Sequence, residues 1–266
     1  MRRILIALCA LTMLSGCGGG VDASLLATAV KNTEQAGGAE IALQMTMESP
    51  TGQTVVMTGT GVEDALGRRA DITMTVPQAG EMRAIADGFT IYIGMDELES
   101  RLGKPWMKVD LMRAWRELGL ELDGLAQVGQ GASQQLGLLK TVSDGLTDHG
   151  RETVVGVEAT HYSATVDLRR YPEVVPEAQR EAVRQSIDRL IELAGRSEIP
   201  VEVWVDDSQR VRRIESEESF GDGVDGTIVV EYVRFGVPVD IQAPDDDEVF
   251  DATDLGVREV QQEHGW

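Results

Sequence analysis

Apolar and polar residues alternate over much of the chain. The apolar residues within positions 40–48 take every second place: Ile41, Leu43, Met45 and Met47. A period of two is typical of a strand with one buried face. The same alternation predicts further strands at residues 54–62, 68–76, 82–86, 89–93, 103–110, 151–168, 199–205, 211–216 and 227–235.

Short turns separate most of these predicted strands. Residues 49–52 read Ser-Pro-Thr-Gly, and Asp87-Gly88 is a strong signal for a two-residue hairpin, because both positions tolerate positive φ. Short connections join antiparallel neighbours. We therefore predict an α+β fold built on a large antiparallel sheet of about ten strands, with one apolar face that other elements must cover.

Helical periodicity is clearest in residues 176–194. Pro176 suits a first helical turn and Gly195 can end the helix. The apolar positions of this segment recur at the spacing of one helix face: Val183, Ile187, Leu190, Ile191 and Ala194. Shorter helices are predicted at residues 22–35, 111–118 and 132–142. These helices could lie across a sheet that curls into a partial barrel.

Eight of the ten methionines fall between Met45 and Met112. Thioether side chains are unbranched and polarizable, so they suit a surface that accepts ligands of varied shape, although they also fill ordinary cores. We expect an apolar cavity whose lining comes from the strands and helices. The candidate cavity residues are Ile41, Leu43, Met45, Met47, Val55, Met57, Ile72, Met74, Trp115, Ile187, Leu190 and Ile191.

The first 16 residues have the features of an export signal. Two arginines precede an apolar stretch of about eleven residues, which is too short for a membrane-spanning helix. The following Leu14-Ser15-Gly16-Cys17 resembles the bacterial lipobox. That resemblance implies that diacylglycerol is attached to the Cys17 thiol and that the leader, residues 1–16, is cut off. The alternative is an ordinary secretory leader with an incidental cysteine.

Lipidation would fix the location of the protein. Two acyl chains hold a protein stably on a membrane, and residues 17–21 would form a lipidated cysteine with a glycine tether. We therefore expect a protein anchored to the cell membrane through Cys17 and facing the extracytoplasmic side. Since Cys9 would leave with the leader, no free thiol would remain for disulfides, metal binding or catalysis.

The net charge of -21 becomes -23 when Arg2 and Arg3 leave with the leader. Nucleic acid binding needs a surface rich in lysine and arginine, so this balance excludes nucleic acid as a partner. Adsorption to anionic lipid headgroups is disfavoured for the same reason. The charge thus leaves the acyl anchor as the expected contact with the membrane.

Motifs for catalysis or metal binding are missing from the sequence. There is no G-x-S-x-G or H-E-x-x-H, and His149, His161 and His264 are predicted in a loop, on the polar side of a strand and in a tail. The acidic runs 222–225 and 245–248 lack the ligand spacing of a calcium loop. We predict no catalytic residue, no metal and no cofactor, and hence a protein that is not an enzyme.

Several segments together resemble a known family of lipoproteins. They are the lipobox, Lys104–Asp110, Gly156–Asp167, Pro200–Asp206, Val211–Ile214, Phe235–Val239 and Ala243-Pro244. The resemblance is to the LppX/LprG-type lipoproteins of actinobacteria, which are similar in fold to the LolA/LolB-type lipoprotein carriers. It spans nearly all of residues 22–255, which we treat as one domain, followed by a polar tail at 256–266. It implies a curved half-barrel with helices packed on its concave side around an apolar cavity.

The resemblance also implies a function. A protein of this type binds acyl chains of envelope lipids. We therefore expect a monomeric, membrane-anchored lipoprotein that binds a lipid or acylated glycolipid in its cavity. A further hypothesis is that it also transports this lipid. The alternative is a sensor or interaction lipoprotein resembling RseB, in which an unknown protein partner covers the same half-barrel surface.

Overall fold

The computed structural model describes residues 24–64, 68–77, 80–120, 146–173, 175–219 and 224–264. The strands are β1 (Ala39–Glu48), β2 (Thr54–Glu63), β3 (Arg69–Val76), β4 (Gly80–Asp87), β5 (Thr90–Gly94), β6 (Trp106–Asp110), β7 (Thr147–Val154), β8 (Val157–Asp167), β9 (Glu198–Asp206), β10 (Val211–Ser219), β11 (Asp225–Phe235) and β12 (Val249–Asp251). The α-helices are α1 (Ser24–Gln35), α2 (Asp96–Leu102), α3 (Leu111–Glu117), α4 (Arg180–Ala194) and α5 (Thr253–His264). Short 3₁₀ helices occupy Leu168–Glu173, Glu177–Gln179 and Asp246–Glu248.

All twelve strands belong to one sheet, in the order β12-β6-β5-β4-β3-β2-β1-β11-β10-β9-β8-β7. Neighbours are antiparallel except β12 and β6, which run parallel. Strand β1 pairs with both β2 and β11 and so joins an N-terminal and a C-terminal meander. The sheet is open, with β12 and β7 at its edges, which confirms the predicted α+β half-barrel with twelve strands instead of about ten.

Strand register separates an apolar face from a polar face. Ile41 lies opposite Gly61 on β2 and Tyr232 on β11, and directly paired residues point to the same side of a sheet. We call this side the apolar face. Following the pairs outward gives its main members: Leu43, Met45, Met47, Val55, Met57, Ile72, Met74, Met82, Ile91, Ile93, Met107, Val109, Tyr162, Val201, Val203, Ile214, Ile228 and Val230.

Two glycines in β2 lie on the apolar face where the sheet is crowded. A Cβ on Gly61 would lie 2.2 Å from the carbonyl oxygen of Asp71, and one on Gly59 would lie 2.8 Å from the carbonyl oxygen of Thr73. Glycine in a strand often marks a bend or a close approach of backbones. Where a sheet curves, atoms of neighbouring strands come closer together on its inner side. The crowding at Gly59 and Gly61 therefore indicates that the apolar face is the concave one.

Helix α1 packs on the C-terminal part of the apolar face. Its buried Leu26 and Ala29 contact a cluster that contains Tyr162, Val203 and Val205. The end of the helix is held at the start of β10, because Thr33 Oγ1 accepts a 2.9 Å hydrogen bond from the backbone N–H of Val211. For α1, the predicted packing of a helix on the concave side is therefore confirmed.

Helix α4 packs differently from the prediction. Its apolar residues contact Leu168, Tyr171 and Val175, which come from the 3₁₀ segment and loop just before the helix. Ile187 is almost fully buried in this cluster, and Leu190 and Ile191 pack against it. These partners, which are close to α4 in sequence, bury its apolar stripe. The strands that carry the methionines are not part of this cluster.

The C-terminal segment is a helix where the sequence predicts a polar tail from 256 onward. In α5, Val257 is 4% exposed and packs with Leu118 and Leu120. The start of α5 is fixed to β6, since the N–H of Asp110 donates to Thr253 Oγ1 at 3.0 Å. Few apolar residues mark this helix, and its partners lie far away along the chain. Helix α2 is a second helix that the alternation did not predict.

Three predicted features lie outside the described residues: the leader with Cys17, the helix at 132–142 and the first half of the acidic run 222–225. The described helices include none that is long and apolar enough to cross a bilayer.

The crowding at Gly61 predicts a cost for any side chain there. We expect Gly61→Ala to lower the free energy of unfolding by about 1 to 3 kcal/mol, because the new methyl group would overlap backbone atoms of β3. Gly256→Ala is the matched control. A Cβ on Gly256 in α5 meets no atom within 4 Å, and alanine is the better helix former. Urea unfolding that gives the same midpoint for Gly61→Ala and wild type would contradict the account.

Candidate functional site

The apolar face is only partly covered over strands β1–β3. Ile41, Met57 and Met74 are buried, whereas Leu43 and Met45 keep part of their surface exposed. Met47, Val55 and Ile72 are also partly exposed. These eight residues, all predicted from sequence, come together on one side of three adjacent strands.

Register adds residues that the prediction did not include. Met82 on β4 lies opposite Met74, and Met107 on β6 lies opposite Ile93. Met45 lies opposite Met57 in the same way. The strands predicted at 82–86 and 103–110 contain Met82 and Met107, but the pairing was needed to show that both share the apolar face. We call Met45, Met57, Met74, Met82 and Met107 the methionine surface.

The other four predicted cavity residues lie elsewhere. Trp115 on α3 contacts Phe89 edge-on, with ring centroids 5.8 Å apart, and packs beside Leu118 and Leu120. Ile187, Leu190 and Ile191 belong to the separate α4 cluster described above. The structure thus places these four residues apart from the eight strand residues, because helical periodicity shows that a stripe is buried but not what buries it.

Glu63 and Tyr232 form a polar pair at one end of the apolar face. Glu63 lies opposite Ala39 and Tyr232 opposite Ile41. Burial raises the pKa of Glu63, while the hydrogen bond donated by the Tyr232 hydroxyl opposes the shift. Burial and the nearby carboxylate also raise the pKa of Tyr232. Within strands β1–β6, all of them described, Glu63 is the one charged side chain on the apolar face.

Asp206 fixes the turn that holds α1. Its carboxylate accepts a 2.8 Å hydrogen bond from Arg212 Nε, and Arg212 Nη1 donates to the Tyr232 carbonyl at 3.3 Å. Burial favours a raised pKa for Asp206, but the backbone N–H of Arg210 and the Arg212 guanidinium outweigh it and lower the pKa. A charged, paired Asp206 thus stabilises the β9–β10 turn beneath α1.

The polar face carries two of the three histidines. His161 lies between Glu152 and Glu202, at 2.9 and 2.6 Å, and stacks on Trp204 with centroids 4.2 Å apart. His149 is on strand β7 and not in a loop, and its Nε2 lies 2.7 Å from Ser163 Oγ.

His149 and Ser163 are residue types that serve as a base and a nucleophile in catalysis, and they lie within hydrogen-bond distance of each other. Nucleophilic catalysis also needs a third group that orients the base, usually in a site that excludes water. His149 is exposed, and no carboxylate among the described residues contacts it. Nor do three His, Cys, Asp or Glu side chains of the described chain gather into a metal site. The absence of enzyme activity stays a prediction.

Comparison with known proteins gives structural likenesses. No known family profile and no curated protein matches the sequence. Solved structures similar to this chain include the lipoprotein LppX of Mycobacterium tuberculosis, with 14% identity and a TM-score of 0.48, covering 83% of this chain and 100% of LppX. LprF of Mycobacterium bovis shows 15% identity and a TM-score of 0.42, covering 85% of this chain and 99% of LprF.

A LolA-superfamily protein of Nitrosomonas europaea is also similar, with 9% identity and a TM-score of 0.30 over 85% of this chain and 96% of the other. The two kinds of protein that the sequence resembles, LppX-type and LolA-type, are thus both among the structural neighbours. The fold itself is defined by the strand order and register of this chain.

The raised pKa of Glu63 predicts a pH-dependent stability. The folded protein binds a proton at Glu63 more tightly than the unfolded chain does. The contribution of Glu63 to the free energy of unfolding is therefore fully present below the ordinary pKa of 4.5, and it is lost as pH rises through the raised pKa. Glu63→Gln cannot ionise, and its carbonyl can still accept from Tyr232. We expect the stability of the variant relative to wild type to increase as pH rises from about 4 to about 7.

Urea unfolding at both ends of this pH range measures that gain. Glu48→Gln, at an exposed strand end, is the control and should show no such trend. A difference between Glu63→Gln and wild type that is constant across the range would contradict the assignment.

Proposed function

We propose that the protein is a cell-envelope lipoprotein that binds the acyl chains of a lipid or acylated glycolipid on the apolar face of its half-barrel. The observation that carries the proposal is the partly open apolar face over β1–β3, which eight apolar residues share. A partly exposed apolar patch of this kind is typical of a surface that binds an apolar partner.

The composition of the face suits acyl chains in particular. Each methylene withdrawn from water contributes about 0.8 kcal/mol, so ten of them contribute about 8 kcal/mol before the cost of ordering the chain. The methionine surface can adjust to chains of different length and shape, because methionine has three rotatable bonds and a polarizable sulfur. Glu63 lies at one end of this face, so a charged headgroup would find few partners along its middle.

The proposed anchor would keep the body close to the membrane. Cys17 and Ser24, where α1 begins, are seven residues apart. An extended chain spans at most about 3.6 Å per residue, which limits the distance between them to about 25 Å. An acylated Cys17 would therefore hold the half-barrel within reach of lipids in the leaflet to which it is attached.

Lipid binding is tested with the mature chain from residue 17 onward carrying Cys17→Ser, so that no acyl anchor interferes. We expect Met45→Arg to weaken binding of a fluorescent fatty-acyl probe at least about tenfold, because acyl packing would desolvate the new charge. Thr46→Arg is the matched control. It puts the same charge on the next residue of β1, which lies on the polar face, and should bind like wild type.

Mass spectrometry of an organic extract complements the probe. The protein isolated from its native envelope should release lipid after removal of the anchor peptide. A lipid-free protein that takes up no probe would overturn the proposal, as would equal losses in Met45→Arg and Thr46→Arg. A stoichiometric protein partner retained by both variants would instead favour the interaction role.

The anchor predicts a labelling result of its own. In the full-length protein, wild type should incorporate an alkyne-tagged fatty acid in cells, and Cys17→Ser should not, since the acylated thiol is gone. Cys9→Ser is the control and should be labelled like wild type, because Cys9 lies within the leader. In-gel detection of the tag after click chemistry measures this, and equal labelling of Cys17→Ser and wild type would contradict the anchor.

A further inference from the structure

A cavity of about 320 Å³ opens on the polar face, on the opposite side of the sheet from the methionine surface. Ala42 lies between Thr60 on β2 and Glu231 on β11, and the short alanine side chain leaves a depression among longer neighbours. The side chains that surround it on the polar face are Gln44, Thr58, Thr60, Arg213, Val229 and Glu231.

The charges in this cavity are balanced within the protein. Arg213 Nη2 lies 2.7 Å from Glu215, and Arg213 Nη1 lies 3.6 Å from Glu231. The guanidinium also lies over the Trp204 ring, 4.7 Å from its centroid, which fixes its position. The charged residues that line the cavity are Arg213 and Glu231, whose charges are opposite, so the lining favours neither an anion nor a cation.

The remaining polar groups of the cavity have hydrogen-bonding capacity to spare. Gln44, Thr58 and Thr60 are exposed and make no hydrogen bond to any other described side chain. Together they offer hydroxyl and amide groups that can both donate and accept. Glu231, which also lines the cavity, adds acceptors.

We propose that this cavity binds a small uncharged polyol, such as the ring of a sugar. Each hydroxyl of a polyol both donates and accepts, which matches a site with mixed groups and no net preference for charge. The volume is at the small end of the range of about 300 to 1,000 Å³ for ligand pockets, which suits one or two rings. Because the sheet separates the cavity from the methionine surface, a polyol and an acyl chain can bind independently.

The test is an NMR titration of the ¹⁵N-labelled mature chain with D-glucose, D-mannose and myo-inositol, and separately with inorganic phosphate and methylammonium. We expect at least one neutral probe to give saturable shifts at the amides of residues 42–44, 58–60 and 229–231. Ala42→Leu fills the depression and should weaken this binding at least about fivefold. Thr46→Leu, further along β1 on the same face and outside the cavity, should not change it.

Three results would overturn the proposal. The first is that none of the neutral probes shifts these amides at concentrations up to about 100 mM, because a dissociation constant above that value would mean negligible binding. The second is that phosphate or methylammonium shifts them at lower concentration than any sugar. The third is an equal effect of Ala42→Leu and Thr46→Leu. None of these results depends on acyl-chain binding, which Met45→Arg reports on separately.

Discussion

The rest of the structure depends on covering a sheet whose apolar residues lie mainly on one side, although Ile85 and Trp204 are buried on the other. A one-sided sheet is stable only when another layer buries that side. Helix α1 does this over the C-terminal strands, through Leu26 and Ala29. Over β1–β3 the face stays partly open at Leu43 and Met45, and this is the surface to which we assign a lipid.

The arrangement around α1 shows how the covered part is held in place. The buried Asp206 pairs with Arg212, and Thr33 at the end of α1 accepts from the N–H of Val211, the first residue of β10. On the other half of the sheet, β3 approaches β2 closely at Gly59 and Gly61. A fixed helix on one half and a curved open surface on the other are what a carrier needs, since its ligand must enter without unfolding the domain.

Much of the fold was predictable from sequence because its signals are local. A period of two in β1, β2 and β3 is enough to select eight residues that the structure does bring together. The rest depends on pairs far apart in the chain. Ile41 lies opposite Tyr232, and Asp110 bonds to Thr253, and no local pattern records either contact. The helical C-terminus and the Glu63–Tyr232 pair were therefore missed, as was the cavity at Ala42, which exists only once four strands are in register. The partners of α4 are close in sequence, but helical periodicity does not show what buries a stripe.

The central claim is that acyl chains lie on the apolar face, and methionine methyl NMR with a nitroxide-labelled fatty acid tests it most directly. We predict that the probe broadens the methyl signals of Met45, Met57, Met74, Met82 and Met107. Met95 should broaden less than these five, because it lines a cavity with Arg83 and Trp106 on the polar face. Broadening of Met95 before the methionine surface, or no broadening at all, would contradict the account.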